Sequence, residues 1–421
     1  MKRYALAVLV VVAALVAVAA AMLILGSGET AAAAEPAKGK ADPHSQAAKA
    51  LAQPLDRFGL ALLQRQASTS ATGNVVVSPV SLHAVLSMAF NGASGQTAEE
   101  MRRVLGLDSM DLAALNQGWA DLIWLSQSGE KHEVSIADSL WLRDGFPFRP
   151  SFLDTNRDYF AAEMRSLPTE PAQAADEINS WVEKHTAGRI KDIVTADSFD
   201  AQTILALFNT VHLKVKWEYF DKKDTQPAPF TLASGERVQV PMMKAPDLEA
   251  PVAQTATYDA VALTTDGPVT VWVIVPKGSE TAESLLEGLD ADQLEALYAK
   301  AADGQGSLEL PRFTTKYTAD GLKENLAAMG MPRAFSPDEA EFPGIADVAP
   351  ERIFIQKAVQ KTFLDLNEEG VEAAGASGLI MGVTSAPMNL FQIRADHPFL
   401  LVLTENATKA PLFMGLIRDP R

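Results

Sequence analysis

The chain contains no cysteine among its 421 residues. That excludes a disulfide framework, a thiolate zinc site and a cysteine nucleophile. Histidine is scarce too: His44, His83, His132, His185, His212 and His397 are scattered, without the spacing of a metal-ligand set. No HExxH, Walker loop, GxGxxG or GxSxG occurs, so the local signatures of zinc proteases, nucleotide binding and nucleophile elbows are absent. Triads can assemble from distant residues, but nothing in this chain recommends an enzyme, and no cofactor or metal is called for. Positive charge is also in short supply, with 36 Lys and Arg against 53 Asp and Glu and a formal net charge of −17. Nucleic acid and anionic membrane surfaces are bound through basic patches, so an acidic surface repels both. A solvated acidic face that maintains solubility accounts for the charge, and no nucleic-acid partner is expected. Between residues 55 and 421 there is no linker, charge run or internal repeat. With 48% hydrophobic residues, the chain reads as one large domain whose core needs no covalent staple.

The amino terminus is different. MKRYALAVLVVVAALVAVAAAMLIL places Lys2 and Arg3 before an uncharged apolar run from Ala5 to Leu25. The order of regions is that of a secretory signal, and the length also suffices for an uncleaved membrane anchor. Lys2 and Arg3 hold the start in the cytoplasm under the positive-inside bias, so either reading exports the rest. Ala32 and Ala34 offer a small-x-small cleavage site. Residues 1–34 are therefore read as signal peptide or signal anchor, 35–52 as a flexible tether and 53–421 as the folded domain. The destination is outside the cell or the periplasm, with residues 5–25 as the sole membrane contact.

Local signals then follow in order. Leu55, Phe58, Leu62 and Leu63 have helical apolar spacing. Val75–Val77 reads as a short buried strand, and Ser78 caps a helix that opens with Pro79. Thr97 with Glu100 predicts a capping box for the next helix. SIADSLWLR, TILALFNTVHLKVKWEYF, VTVWVIVPKG, SLELPRFTTKY, RIFIQKAVQKTFLDL, PFLLVLTEN and LFMGLIRDP read as strands, and GLKENLAAMG as a helix. Helices dominate the first 200 residues and strands the rest, which argues for an α+β fold.

One stretch fits no element. NEEGVEAAGASGLIMGVTSAPMN, residues 367–389, lies between two core strands, bland and without charge after Glu372. Loops beyond about 12–15 residues are uncommon inside compact domains and are usually functional or disordered.

In the same order run Asn74-Val-Val-Val-Ser-Pro-Val-Ser81, Gly92 with Thr97, Phe208-Asn-Thr, Lys216-Trp217, Leu310-Pro-Arg-Phe313, Asn367-Glu-Glu-Gly-Val-Glu-Ala-Ala-Gly-Ala376, His397-Pro-Phe-Leu-Leu401 and Phe413-Met-Gly415. With these motifs the chain resembles the serpin family from Leu55 to Pro420. The resemblance implies three β-sheets, eight or nine helices and an exposed reactive-centre loop, in a metastable monomer. It implies an inhibitor that traps serine, and in some members cysteine, proteases by inserting the cleaved loop into the main sheet. A non-inhibitory binding or chaperone-like member is the alternative; its usual mark, charged or bulky hinge residues, is missing here.

By the family's pattern the hinge is Glu368, Gly370, Val371, Glu372, Ala373, Ala374, Gly375 and Ala376. On insertion, one strand parity (Val371, Ala373, Gly375, Ser377, Leu379, Met381) faces the core, and it carries neither charge nor proline. Ser78, Ser81, Asn209 and Gln360 are expected to form the shutter cluster beneath that strand, and Trp217 to mark the breach above it. Departures are Val371 for the usual Thr, Gln360 for a frequent His and Val215 for a Gly. Family spacing puts the scissile bond at Thr384-Ser385; counting back from Pro398 lands nearer Pro387, and Met388 is the fallback. Val383 and Thr384 are small and β-branched, which favours elastase-like or subtilisin-like targets. No Lys or Arg lies between Lys361 and Arg394, which disfavours trypsin-like ones. Residues 111–129 contain no Lys or Arg, so no glycosaminoglycan partner is expected. Asn406-Ala-Thr is read as a chance sequon.

Overall fold

The computed structural model describes residues 45–70, 72–127, 133–348, 350–371 and 389–421. The leader and the first part of the tether (1–44) lie outside these. Among the described residues no helix is long and apolar enough to cross a membrane.

The helices are α1 (Gln46–Ala50), α2 (Ala52–Thr69), α3 (Pro79–Phe90), α4 (Gly95–Val104), α5 (Leu112–Gln127), α6 (Pro150–Phe160), α7 (Pro171–His185), α8 (Ala282–Gly288), α9 (Ala291–Lys300) and α10 (Leu322–Met329). Only Leu51 separates α1 from α2, and it keeps helical dihedrals, so taken as one helix they bring the count among the described residues to nine. The strands are β1 (Val75–Val77), β2 (Glu133–Leu142), β3 (Glu163–Ser166), β4 (Leu205–Lys216), β5 (Gln226–Thr231), β6 (Arg237–Gln254), β7 (Tyr258–Thr264), β8 (Val269–Pro276), β9 (Ala302–Pro311), β10 (Phe313–Thr318), β11 (Lys361–Asn367), β12 (Gly370–Val371), β13 (Asn389–Arg394), β14 (Phe399–Glu405) and β15 (Pro411–Ile417). The α+β class is observed.

Two hydrogen-bonded systems result. One runs β10-β11-β12-β4-β2-β3. The other runs β1-β15-β14-β8-β7-β6-β9-β13, with β5 on β6. Strand β6 pairs with β5 over 237–242, with β9 over 242–252 across a register shift between Ala245 and Leu248, and with β7 over 252–254. The long strand thus serves two sheets, which makes three in all. β8, β14 and β15 are buried at every residue, as their unbroken apolar sequences require of strands covered on both faces.

Three sequence expectations are corrected. The tether does not extend to residue 52: Ser45 caps α1 by accepting the Ala48 N–H, and Ala48 and Leu51 are fully buried. Gly118 of α5 admits this segment, because a Cβ there would lie 2.7 Å from the Ala47 carbonyl. The expected capping box at Thr97 and Glu100 does not form. Helix α4 starts two residues earlier, and Glu341 satisfies its amino end from across the chain by accepting the Gln96 N–H at 2.9 Å. Thr97 Oγ1 instead accepts the Glu341 N–H, and Glu100 pairs with Arg333. Finally, RIFIQKAVQKTFLDL is a paired strand only from Lys361 on. Among the described residues 352–360 have no ladder, because no strand adjoins them on the side facing β4.

Candidate functional site

The described residues at the start of the bland segment end in β12, whose two residues are wedged between two longer strands. Gly370 pairs with Asn367 of β11 and Lys216 of β4, and Val371 with Leu366 and Val215. Gly370 has φ +129°, and a Cβ there would lie 2.3 Å from the Val215 carbonyl oxygen. Only glycine fits on both counts. The sequence reading of Gly370 as a flexible hinge thus becomes a steric requirement for entering the sheet. Val371 is buried, as its assigned parity demands, and Val215 is buried opposite it. Glu372, Ala373, Ala374, Gly375, Ala376, Thr384 and Ser385 lie outside the described residues.

Polar contacts hold the entrance. Trp217 donates its indole N–H to the Asn367 carbonyl at 3.0 Å. Arg312 reaches the buried Glu368 carboxylate at 3.2 Å, and Lys222 pairs with Glu369. Burial pushes the Glu368 carboxyl up, but the Thr225 hydroxyl, its own backbone and the Arg312 guanidinium together bring it below the ordinary glutamate value. Trp217, expected at the breach, lies beside β12; Arg312 and Lys222 were not singled out, since a lone cation in sequence does not reveal its partner.

Below β12, among the described residues, no strand pairs with β4 on the side facing residues 353–360. A cavity of about 670 Å³ lies between β4 (Leu205 to Asn209) and residues 353–360. Its floor is α3, through Ser81, Leu82, Val85, Leu86 and Ala89, and residues 193–203 contribute Ile193, Val194 and Phe199. Its walls are mainly apolar, with a polar patch.

The patch contains the shutter residues, divided into two groups. Gln360 donates its amide to the Ser78 carbonyl at 2.8 Å and accepts the Ser78 N–H at 3.2 Å, a bidentate clasp that replaces any titratable group there. Ser78 Oγ donates to the Leu412 carbonyl and accepts the Ser81 N–H. Asn209 belongs to the second group, donating Nδ2 to Asp138 Oδ1 at 2.9 Å across the β2–β4 seam. Asp138 escaped the sequence reading because an acid inside SIADSLWLR has no local signal of burial. Asp138 Oδ2 and Asn209 Oδ1 are buried without a partner among the described residues. Burial raises the Asp138 carboxyl to about 7, against the lowering influence of Asn209. The unpaired oxygen is thus held in surroundings that disfavour its charge.

The sequon at Asn406 is engaged in the fold. Its Nδ2 donates to the Gly267 carbonyl, and its Oδ1 accepts from Thr270. The atom a glycan would use is already bonded.

Comparisons with known proteins agree with this architecture. The family model described as serpin (serine protease inhibitor) matches residues 53–420. Neuroserpin of Homo sapiens is 31% identical over 373 residues, covering 85% of this chain and 89% of that protein. Leukocyte elastase inhibitor A of Mus musculus is 30% identical over 397 residues, covering 86% and 97%. Among solved structures, a cleaved serpin 42Da is similar with a TM-score of 0.79 at 28% identity, covering 89% of this chain and 99% of that one.

Proposed function

The chain belongs to the serpin family of serine protease inhibitors, and we propose that it acts as a suicide substrate that traps serine endopeptidases by inserting its cleaved loop beside β4. The observation that carries this reading is β12, a strand begun between β11 and β4, with no further strand on that side of β4 among the described residues and a cavity of about 670 Å³ farther along it, from Asn209 to Leu205. Continued in the same register, Glu372 falls opposite Lys214 and Asp365, and Met381 opposite Leu205 and Gln356. Ten further residues therefore line up with all of the remaining β4, about 33 Å of strand. The slot ends close to the bond that family spacing selects.

In the reaction the protease's serine hydroxyl adds to the Thr384 carbonyl. The Thr384–Ser385 peptide bond breaks, the Ser385 amine departs with the proton, and an ester joins Thr384 to the protease. Insertion then competes with hydrolysis of that ester. The inserting face brings no charge or proline into the slot, and successive residues of the inserted strand would gain ladder hydrogen bonds to β4 and β11 in alternation. The chain supplies no catalytic group and is consumed once.

Val383 and Thr384 suit shallow apolar pockets, so elastase-like or subtilisin-like proteases are the proposed targets; one relative bears the name of leukocyte elastase. The proposed setting is outside the cell or in the periplasm, reached through residues 1–34 and retained at a membrane if residues 5–25 stay attached. We further infer a monomer that needs neither glycosaminoglycan nor cofactor. The test is incubation with pancreatic elastase and with subtilisin, followed by a denaturing gel and mass spectrometry. A stable complex releasing a C-terminal fragment that begins at Ser385 supports the reading. Cleavage without a complex points to a non-inhibitory serpin, and efficient trapping of trypsin or a fragment starting after Arg394 removes the assigned bond.

A further inference from the structure

One histidine sits where water does not reach. His83 lies in the middle of α3 and is fully buried, as are Ser87 one turn on and Trp119 of α5. Aromatic rings enclose it. Phe58 of α2 stands edge-on with centroids 5.5 Å apart, and Trp119 lies 5.6 Å away, backed by Phe160 of α6. Through this niche runs a chain of hydrogen bonds. Trp119 donates its indole N–H to Ser87 Oγ at 3.1 Å. Ser87 Oγ lies 3.1 Å from His83 Nδ1, and His83 Nε2 lies 3.0 Å from the Leu105 carbonyl oxygen.

The two ends of the chain fix its proton. An indole N–H only donates and a carbonyl only accepts. His83 Nε2 therefore carries the hydrogen, Nδ1 is bare, and Nδ1 accepts the Ser87 hydroxyl. The neutral tautomer completes every bond. A proton added at Nδ1 would face the Ser87 oxygen, so the hydroxyl hydrogen would lose its acceptor and a charge would appear where nothing solvates it. The ionisable groups of the surrounding helices are turned elsewhere. Asp121 of α5 bonds to Ser45 and Gln117. Asp56 of α2 interacts with Glu295 and Tyr298 of α9. Arg102 of α4 reaches the Leu107 and Met110 carbonyls and lies over Phe90, while Asp154 and Asp158 of α6 pair with Arg157. Burial accordingly lowers the imidazole to about 4 from 6.5, outweighing the raising influence of the Leu105 carbonyl and of its own backbone.

The chain joins three helices. His83 and Ser87 belong to α3, Leu105 closes α4 and Trp119 belongs to α5. Asn91 and Asn116 exchange amide hydrogen bonds across the same α3–α5 seam, at 3.0 and 2.9 Å. The opposite side of α3 presents Leu82, Val85, Leu86 and Ala89 to the cavity beside β4. We propose that His83 is an acid-release switch: neutral, it fastens α3 to α5 and to the end of α4; protonated, it undoes that joint and disarms the inhibitor. The disarming rests on the insertion reading above, whereas the joint does not.

Between pH 6.5 and 4 the unfolded chain binds a proton that the native protein refuses. The unfolding constant should therefore rise about tenfold for each pH unit lost, roughly 300-fold over the window. His83→Gln keeps an amide donor for the Leu105 carbonyl and cannot take the charge. Denaturant unfolding of parent and variant from about pH 7.5 to about pH 4 gives the ratio of their unfolding constants. Groups that titrate in both proteins, Asp138 included, cancel in that ratio. The parent's constant should gain roughly 300-fold on the variant's across the window. A ratio that does not move with pH overturns the switch, even where the variant is less stable throughout. Should His83→Gln fail to fold, nitrogen NMR of the histidine-labelled parent decides the question. A native His83 that keeps its Nε2–H form to about pH 5 supports the switch, and one that takes a charge near 6.5 overturns it. After incubation at about pH 4.5 and return to neutrality, the parent should lose most of its capacity to form the elastase complex and the variant should keep it. Equal loss in both overturns the disarming. A parent that forms no complex before acid treatment removes the insertion reading, and the unfolding comparison still decides the joint.

Discussion

The two large sheet systems of this molecule are built to opposite specifications. In one, β8, β14 and β15 are buried along their whole length and paired on both sides. In the other, β11 alternates between buried and half-buried positions, and β4 below Val215 is paired on one side only among the described residues. Among the described residues the first is paired throughout, while the second holds only two residues of β12 between β11 and β4. Under the proposed function, the first sheet supplies stability and the second the free energy that insertion of a cleaved loop would release.

Completing the open sheet is the largest expected effect. Ten added residues make about two ladder hydrogen bonds each, and at about 0.5 kcal/mol for each, the low end of the net range, they amount to roughly 10 kcal/mol. At about 2–4 °C per kcal/mol for large domains, loop-cleaved protein should melt more than about 20 °C above the intact form by calorimetry. Equal melting temperatures would mean that nothing enters the slot.

The next effect comes from spoiling the wedge. Val371→Arg places an unpaired charge on a buried face at a cost of several kcal/mol. It should raise the inhibitor-to-protease stoichiometry by more than about tenfold, turning inhibitor into substrate while leaving the loop cleavable. Titration of residual protease activity measures this. A stoichiometry unchanged from the parent would remove Val371 from the buried face of the inserting strand.

The open sheet should also respond to pH where the sealed one does not. The Asp138 carboxyl is raised to about 7 from an ordinary 3.8, so its stabilising contribution is complete below about pH 4 and is lost as pH rises through 7. The span corresponds to about 4 kcal/mol. Asp138→Asn keeps the shape and gives Asn209 Oδ1 a donor at every pH. Denaturant unfolding should find the variant close to the parent near pH 4 and more stable by a few kcal/mol at pH 8. The same difference at both pH values would show that Asp138 does not titrate in this range.

The smallest effect belongs to the outward face. Glu372→Arg, opposite Lys214 and Asp365 in the continued register, should change the stoichiometry of inhibition by less than about twofold, as exposed charges do. A large effect there would reverse the parity assigned to the loop.

Much of this design is written locally. The Ser78–Pro79 helix start, the unbroken apolar strands of the sealed sheet and the charge-free parity after Val371 each depend on neighbours within a few residues, and periodicity and capping chemistry expose them. The family motifs placed Ser78, Ser81, Gln360 and Trp217 at the site, and the structure brings Ser78, Ser81 and Gln360 together. Asn209 went elsewhere because its partner, Asp138, lies across a strand seam 71 residues away.

What the sequence by itself determined is the identity and order of the elements and the chemistry of the segment between β12 and β13. Those are properties of short stretches, fixed by backbone dihedrals and by alternation along a strand. Only the tertiary structure decided that Thr97 would not cap its helix, that Gly370 must lack a side chain because Val215 lies against it, and that Asp138 is held protonated. It also decided that residues 352–360 have no ladder. Each of these depends on which distant groups meet in a water-poor interior, where a missing partner costs more than any local preference can repay.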